Sequence, residues 1–527
     1  MESNRENLER NIIPLWRSYD EIAKNGELAY SGQSGRLLNF DRFGEYLDGW
    51  NAHHTITTAA DLINAAVAGD NVLLPEVVSA AEFLCKFKDD CSPLVYDVAK
   101  SLLLNPQSDR IIDSPIKELK FDDQALSLIG DLTVQEKKTK ARIGLLRKQL
   151  RDFCYNAITY CELARCYSDL GLNEKAKHYM LCAVQLAPHN RYVSRCAARF
   201  FVHIGDAATA KKILVRNGWV TSDPWLMAAE IAVSTVLKRP SRNIKAGRQI
   251  VLSGNLMPYS SSELCFAICK EDYDADKRKE WQKMFRLGLK APNENSLAQA
   301  EYLTKIGAKM DIDYGLYDSM SHKSEADTRN YYALGKYEEA FISSVNWIQD
   351  FRFSHEPIAF AFDISCTFLK KYDYSVAILK QWLETHPQDH VVMNNLIYAL
   401  GLSDKADEAE QLLSKINVEN QLKEDVKNGI CLLATQGLVA YRKNNIEEGR
   451  AKYQLSIDTA KLLRKKELAA KARLNMIREE VHCVGNYDKN LLNEIDSLNT
   501  GDEEETKQLR KDILLEAEKR QNLNLFN

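Results

Sequence analysis

Apolar residues recur with a helical period along most of the chain, and the pattern is clearest over residues 157–188. Tyr160, Leu163 and Tyr167 are spaced three and four positions apart, so they share one face of a helix. Gly171 marks a turn, because glycine tolerates the left-handed conformation that closes many helices. A second apolar stripe follows the turn and ends at a proline. The stretch therefore predicts a hairpin of two antiparallel helices.

Small residues where the two helices meet support this interpretation. Ala164 in the first helix and Ala176 in the second allow the backbones to approach closely, because each side chain is only a methyl group. The same order of large residue, small residue, glycine turn and second helix returns several times along the chain. It is clearest again over 430–463, where Gly437 and Gly449 replace the two alanines.

This order of residues resembles the tetratricopeptide repeat, whose unit is a helical hairpin of about 34 residues. The resemblance implies an all-α fold, a right-handed α-solenoid of tetratricopeptide-like hairpins with a helical N-terminal region. Two runs, SDPWLMAAEIAV and APNENSLAQAEYL, are also similar to a group of bacterial tetratricopeptide proteins of unassigned function. That second resemblance implies a bacterial cytoplasmic protein and suggests a multi-protein phage-defence or signalling system.

The repeat pattern divides the chain into regions. Thr133 and Glu136 form a predicted capping box that opens a basic amphipathic helix through Arg151. Earlier residues show helical segments without the repeat, near 5–24, 41–50, 58–68, 74–87 and 93–104. The predicted regions are a helical N-terminal region (1–130), a first array (131–308), an irregular connection (309–329), a second array (330–485) and a charged C-terminal helical cap (486–527).

Charge and composition exclude some classes of protein. The 527 residues contain 70 Lys and Arg against 74 Asp and Glu, a net charge of −4. The whole body is therefore not a nucleic-acid or membrane binder, although a local basic patch stays open. No apolar run is long enough for a transmembrane helix, and the first residues lack an apolar segment of signal-peptide length. The 12 cysteines fall mostly at helix-core spacing, which fits a reducing, cytoplasmic compartment.

The sequence carries no recognisable motif for catalysis, nucleotide binding or metal binding. The loop 30–37, YSGQSGRL, has glycines but no P-loop lysine and no preceding strand. His386 and His390 have the spacing of two metal ligands on a helix, yet they flank Pro387, and no third ligand is indicated. The sequence therefore predicts no cofactor, no metal and no enzymatic activity.

The groove positions of the tetratricopeptide family give candidate partner-binding residues by resemblance. In the first array these are Arg165, Tyr192, Arg195, Arg199 and His203. Arginine binds oxyanions through two parallel hydrogen bonds, so this set suits an acidic peptide or a phosphate. An equally weighted alternative is that the arginines pair internally with nearby acids, which are Glu162, Asp169 and Glu230.

The corresponding positions of the second array form a more apolar set. They are Phe360, Phe368, Asn394, Tyr398, Tyr441 and Arg442. An aromatic groove with amide groups suits a helix or an extended peptide. We therefore predict a non-catalytic scaffold or adaptor that binds a partner protein or peptide in its concave groove.

Two alternatives to the scaffold stay open at this point. One is a regulatory sensor that binds an anionic small ligand or nucleic acid through Arg165, Arg195 and Arg199. The other is an enzyme whose active site lies in the N-terminal 130 residues without a recognised motif. The sequence leaves the identity of the partner and the oligomeric state undetermined.

Overall fold

The computed structural model describes Trp16 and residues 42–68, 75–91, 93–104, 121–152, 154–313, 315–318, 320, 323–484, 487–488, 490–500 and 503–526. Every regular element in these ranges is helical, so the fold class is all-α, as the hydrophobic period predicts. The predicted helix over 5–24, apart from Trp16, and the glycine-containing loop 30–37 lie outside the described residues.

The N-terminal helices begin and end within a few residues of their predicted positions, except for the last. They are α1 Arg42–Ala52, α2 Ile56–Ala68, α3 Pro75–Lys86, α4 Pro93–Leu104 and α5 Phe121–Asp152. Helices α1 to α4 pack consecutively, each on the next. Their buried side chains, including Trp50, Leu62 and Leu84, belong to the same hydrophobic core as the first array.

Helix α5 is longer than predicted, and the predicted capping box is wrong. Thr133 and Glu136 lie inside the helix, which begins at Phe121 with Asp122 and Asp123 in its first turn. Carboxylates are favoured there because the helix dipole is positive at its N-terminus. Gly130 is a poor helix former and interrupts the sequence pattern, but the packing of the flanking residues overrides that preference. The predicted boundary between 130 and 131 consequently falls inside one helix.

The arrays of helical hairpins follow α5. The first array contains α6 Ala157–Asp169, α7 Asn173–Leu186, α8 Arg191–His203, α9 Ala207–Arg216, α10 Pro224–Val236, α11 Ile244–Leu252, α12 Pro258–Asp274, α13 Arg278–Gly288 and α14 Glu294–Lys305. A connecting helix and the second array contain α15 Gly315–Asp318, α16 Ser324–Ala333, α17 Tyr337–Asp350, α18 Glu356–Asp363, α19 Tyr372–Thr385, α20 His390–Leu402, α21 Ala406–Leu413, α22 Val418–Glu424, α23 Val426–Arg442, α24 Ile446–Leu462 and α25 Lys466–Cys483. The last helices are α26 Asn490–Glu494 and α27 Glu504–Phe526.

The segment 309–329, predicted to be irregular, holds α15 and the start of α16. Helix α18 continues as a π-helical turn over Ile364–Phe368. The first helices of the hairpins are α6, α8, α10, α12, α14, α16, α18, α20, α23 and α25, and we call them the inner helices. Most neighbouring inner helices contact each other directly, as they do along the concave side of a solenoid.

Small residues bring the two helices of a hairpin together, as the sequence predicts. Ala164 and Ala176 are fully buried between α6 and α7. In the hairpin of α23 and α24, a Cβ atom on Gly437 would lie 2.5 Å from the ring of Tyr453. Gly449 on α24 receives the ring of Tyr441 in the same way. Glycine replaces alanine here because an aromatic ring fills the space of the methyl group.

Helix α5 packs on both arrays and holds them together. In its first half, Ala125, Ile129 and Leu132 enter the core of the second array. In its second half, Ile143 and Leu146 enter the core of the first array. The arrays are therefore joined by a continuous helix as well as by the chain between them.

The hairpins at the start of the first array also touch hairpins of the second array. Gly171, with φ of 68°, lies in the turn after α6 and packs against Thr385 and His386 at the end of α19. A Cβ atom on Gly171 would lie 3.1 Å from Cδ2 of His386. We call this contact the seam. The stack of hairpins therefore curves until the end of α19 in the second array lies against the first hairpin, and we call this arrangement the closed turn.

Aromatic rings fill the interior beside the seam. Phe353, in the connection between α17 and α18, has its ring centroid 5.1 Å from the ring of His203 and 5.3 Å from the guanidinium of Arg199. Trp16 is fully buried and contacts Phe200 and Phe353 at centroid distances of 5.6 and 5.4 Å. Side chains from three distant parts of the chain therefore pack together in one aromatic group.

The seam can be tested by adding one methyl group. Gly171→Ala and Gly335→Ala each place alanine at a positive φ in a hairpin turn, with φ of 68° and 71°. Each substitution should cost about 1–2 kcal/mol for the left-handed conformation. Only Gly171→Ala also collides with Thr385, since the space around Gly335 is open, and overpacking should add about 1–3 kcal/mol. Chemical denaturation followed by circular dichroism measures both, and equal losses would show that the seam does not form.

Candidate partner-binding surface

The candidate residues of the first array are engaged by the chain itself. Arg165 forms ion pairs with Glu162 at 3.6 Å and Asp169 at 3.4 Å. The hydroxyl of Tyr192 donates a hydrogen bond of 3.1 Å to Oε1 of Glu162. Glu162 and Asp169, two of the three acids expected in the internal-pairing alternative, therefore both pair with Arg165.

Arg195 is held by a partner from two hairpins further along. Its Nη2 lies 2.9 Å from both carboxylate oxygens of Glu263, and its guanidinium lies 4.8 Å from the ring centroid of Trp225. Asn293 donates a further hydrogen bond of 3.0 Å to Glu263. Arg195 and Glu263 are both about 95% or more buried, so their mutual attraction compensates for the hydration that each charge loses on folding.

Glu230, the third acid named in that alternative, has other partners. It accepts a hydrogen bond of 3.0 Å from Nδ2 of Asn243 and one of 2.5 Å from the hydroxyl of Ser241. Lys211 lies 3.4 Å from the same carboxylate. Glu230 therefore fastens the loop between α10 and α11.

The candidate residues Phe360 and Phe368 of the second array join two tyrosines that the sequence analysis did not select. The ring of Phe368 stacks on Tyr337 at 4.0 Å and meets Tyr332 edge-on at 5.5 Å, while Phe360 lies 5.9 Å from Tyr332. All four rings are half-buried, and we call them the aromatic cluster. Lys305, which is exposed, lies 5.1 Å from the Phe360 ring. Tyr332 near the end of α16 and Tyr337 at the start of α17 flank the turn at Gly335, and an aromatic residue on each side of a glycine turn is a signal that could have found them.

Three further candidates of the second array, Tyr398, Tyr441 and Arg442, contact helix α25. Tyr398 accepts a hydrogen bond of 2.6 Å from Nη1 of Arg478 and lies 3.3 Å from Oδ1 of Asn475. Arg442 pairs with Glu479 at 2.8 Å, and Tyr441 donates a hydrogen bond of 2.5 Å to Glu480. These acceptors and donors on α25 are further residues that the sequence analysis missed.

Asn394 and Tyr398 are candidates whose polar groups are buried. Oδ1 of Asn394 is buried and has no hydrogen-bond partner among the described residues. Burial raises the pKa of the Tyr398 hydroxyl, and the nearby guanidinium of Arg478 opposes that rise. The candidates therefore do not form one open surface: Tyr398, Tyr441 and Arg442 contact α25, Asn394 is buried, and Phe360 and Phe368 lie in the aromatic cluster.

Helix α27, predicted to cover the open end of the stack, also reaches back to the aromatic cluster. Tyr332 donates a hydrogen bond of 2.5 Å to Glu505, and Lys370 forms an ion pair with Asp512. Burial and the neighbouring carboxylate of Glu505 raise the pKa of Tyr332. The helix also packs on α25, so it connects the first hairpins of the second array with its last inner helix.

His386, one of the two histidines with metal-ligand spacing, is part of the seam. Its ring stacks on Trp382 at 3.9 Å, and its Nδ1 lies 2.8 Å from the hydroxyl of Thr385. Burial lowers the pKa of His386 to about 4. Among the described residues, no group of three or more His, Cys, Asp or Glu is placed to hold a metal ion. In the same described ranges, every helix is too short or too polar to cross a membrane.

No protein-family model matches the chain, and no curated protein matches it. The chain is similar to the crystal structure of yeast Tom70, with 13% sequence identity, a TM-score of 0.28, and coverage of 77% of this chain and 97% of that chain. The hairpins described above define the fold class: the protein has an all-α solenoid fold of tetratricopeptide-like helical hairpins.

The pairing of Arg195 with Glu263 predicts a stability effect that a free ligand-binding arginine would not show. Arg195→Met should lower the free energy of unfolding by about 3–5 kcal/mol, because Glu263 is left buried without its cation. The double substitution Arg195→Met/Glu263→Met should recover most of that loss. Chemical denaturation of both variants provides the measurement. A single variant as stable as the original protein would contradict the pairing and restore Arg195 as a ligand-binding candidate.

Proposed function

We propose that this protein is a non-catalytic scaffold that binds a partner protein or peptide on the inner side of its second array. The observation that carries the proposal is the aromatic cluster, which places four half-buried rings and the exposed cation Lys305 on one surface. Protein interfaces are enriched in aromatic and cationic side chains, because large rings contribute much contact area at little entropic cost. The concave side of a helical solenoid is a common place for such contacts.

The sensor alternative has less support than the scaffold. It requires Arg165, Arg195 and Arg199 to bind an anion, yet Arg165 and Arg195 already pair with carboxylates inside the first array. An anionic ligand would have to displace those carboxylates and leave them buried without a counter-charge, which is costly. A partner at the aromatic cluster would displace the hydrogen bond from Tyr332 to Glu505, in which the tyrosine is neutral, so no buried ion pair would be broken there.

The cellular setting of the scaffold is part of the proposal. The resemblance of two sequence runs to bacterial tetratricopeptide proteins supports a cytoplasmic role in a bacterial multi-protein system, either in phage defence or in signalling. Such a scaffold would bring partners together through contacts alone. We therefore assign it no cofactor and no catalytic residues.

The test compares two reversals of charge on the full-length protein. Lys305→Glu changes the surface beside the aromatic cluster, and Lys279→Glu changes an exposed lysine on α13, a second helix of a hairpin. Partners are captured from cells of the source organism, identified by quantitative mass spectrometry, purified and titrated against each variant. We expect Lys305→Glu to raise the Kd for a direct partner at least tenfold and Lys279→Glu to leave it unchanged.

Two results would overturn the proposal. One is the absence of any protein that binds the purified chain directly. The other is a direct partner whose Kd responds equally to both substitutions.

A further inference from the structure

Helix α27 is attached to the inner side of the second array mainly through charged and polar contacts. Glu505 accepts a hydrogen bond from Tyr332, and Asp512 forms an ion pair with Lys370. Glu516 pairs with His482, and Glu503, just before the helix begins, pairs with Lys471. Most of these side chains are partly exposed to solvent. Ion pairs in such positions contribute little to stability and are screened by salt.

The apolar part of this attachment is small. Within residues 504–520, only Thr506, Ile513 and Ala517 are buried. Ile513 and Ala517 pack with α25 residues in a separate small core. Leu514 and Leu515, which follow Ile513 directly, are 41% and 45% exposed. The helix therefore buries only part of its own apolar surface, unlike α8, which is buried along nearly its whole length.

Helix α27 also lies where a bound peptide would lie rather than where a solenoid helix would. Lys471 pairs with Glu503 and His482 pairs with Glu516, so α25 and α27 run in the same direction. Successive first helices of a solenoid also run in the same direction, but each contacts its neighbours in the stack. Helix α27 contacts α25 and also Tyr332 and Lys370, which lie several hairpins away. Helix α27 therefore does more than extend the stack, because it reaches from α25 to the aromatic cluster.

We infer that the surface beneath α27, from Lys370 and the aromatic cluster to α25, is the partner-binding surface, and that its partner is an acidic amphipathic helix that displaces α27. The groove supplies cations and a narrow apolar strip, and α27 meets them with carboxylates flanking Ile513 and Ala517. A partner with the same arrangement of charges and a wider apolar face would bury more surface than α27 does. This inference rests on the proposed function and names the chemistry of its partner.

The probe is a fluorescent peptide with the sequence of residues 503–526, added to full-length protein. Ile513→Asp/Ala517→Asp should release α27, because it places two charges in the apolar contact. Hydrogen exchange of residues 504–526 reports whether release has occurred. We expect the released variant to bind the peptide at least tenfold more tightly than the original protein. Adding Lys370→Glu should weaken that binding about tenfold, whereas adding Lys279→Glu should leave it unchanged.

A second measurement on the unmodified protein does not depend on the variants folding. Raising the salt concentration from about 0.05 to about 0.5 M screens exposed ion pairs. Hydrogen exchange should then accelerate in residues 504–526 and change little in α25.

The inference falls if a released variant does not bind the peptide, or if Lys370→Glu and Lys279→Glu act alike. It also falls if the released chain dimerises by exchanging α27 between copies, or if salt leaves exchange in α27 as slow as in α25. A direct partner that responds to Lys305→Glu while the peptide fails would leave the scaffold function standing and remove only its assignment to the surface beneath α27.

Discussion

The contact of Gly171 with the end of α19 constrains the rest of the structure, because it closes one turn of the superhelix. Once the turn is closed, Phe353 is brought into the first array beside Arg199 and His203, and Trp16 is enclosed between Phe200 and Phe353. Helix α5 can then pack on both arrays at once. An open solenoid with the same hairpins would expose these aromatic side chains to water, at a cost in hydrophobic free energy.

The sequence pattern predicts the individual hairpins, but it does not predict the curvature that brings the second array against the first. Ala164, Ala176 and Gly171 occupy the predicted places because a close helix contact and a tight turn depend on residues only a few positions apart. The pairing of Arg195 with Glu263 depends on the small rotation between successive hairpins, which accumulates over distances that no local pattern records. Of the groove arginines, predicted equally as ligand-binding or internally paired, Arg195 has this distant carboxylate partner, whereas Arg165 pairs with Glu162 and Asp169 on its own helix. Helix α5 was predicted too short, since Gly130 weakens the local signal while distant packing sustains the helix.

The two arrays use their concave sides differently. In the first, buried ion pairs and the rings of Trp16 and Phe353 occupy the interior, so that its inner helices serve mainly to hold the turn closed. In the second, four half-buried rings and several lysines face a helix that is attached by few apolar contacts. The first array, whose interior is filled, supports the second array, to which α27 is attached by few apolar contacts. This arrangement suits a scaffold, because a partner could displace α27 without exposing the core of either array.

Zero-length carbodiimide cross-linking of the unmodified full-length protein, read by mass spectrometry, tests the closed turn most directly through the contact of helix α5 with the second array, which the closed turn allows. We expect a link between Lys371 and Asp122, whose charged atoms lie 3.0 Å apart and join α5 to the second array. Links between Lys270 and Asp274 and between Lys380 and Glu408 form within or between adjacent elements and serve as internal controls. Recovery of the control links without the link from Lys371 to Asp122 would contradict the closed turn.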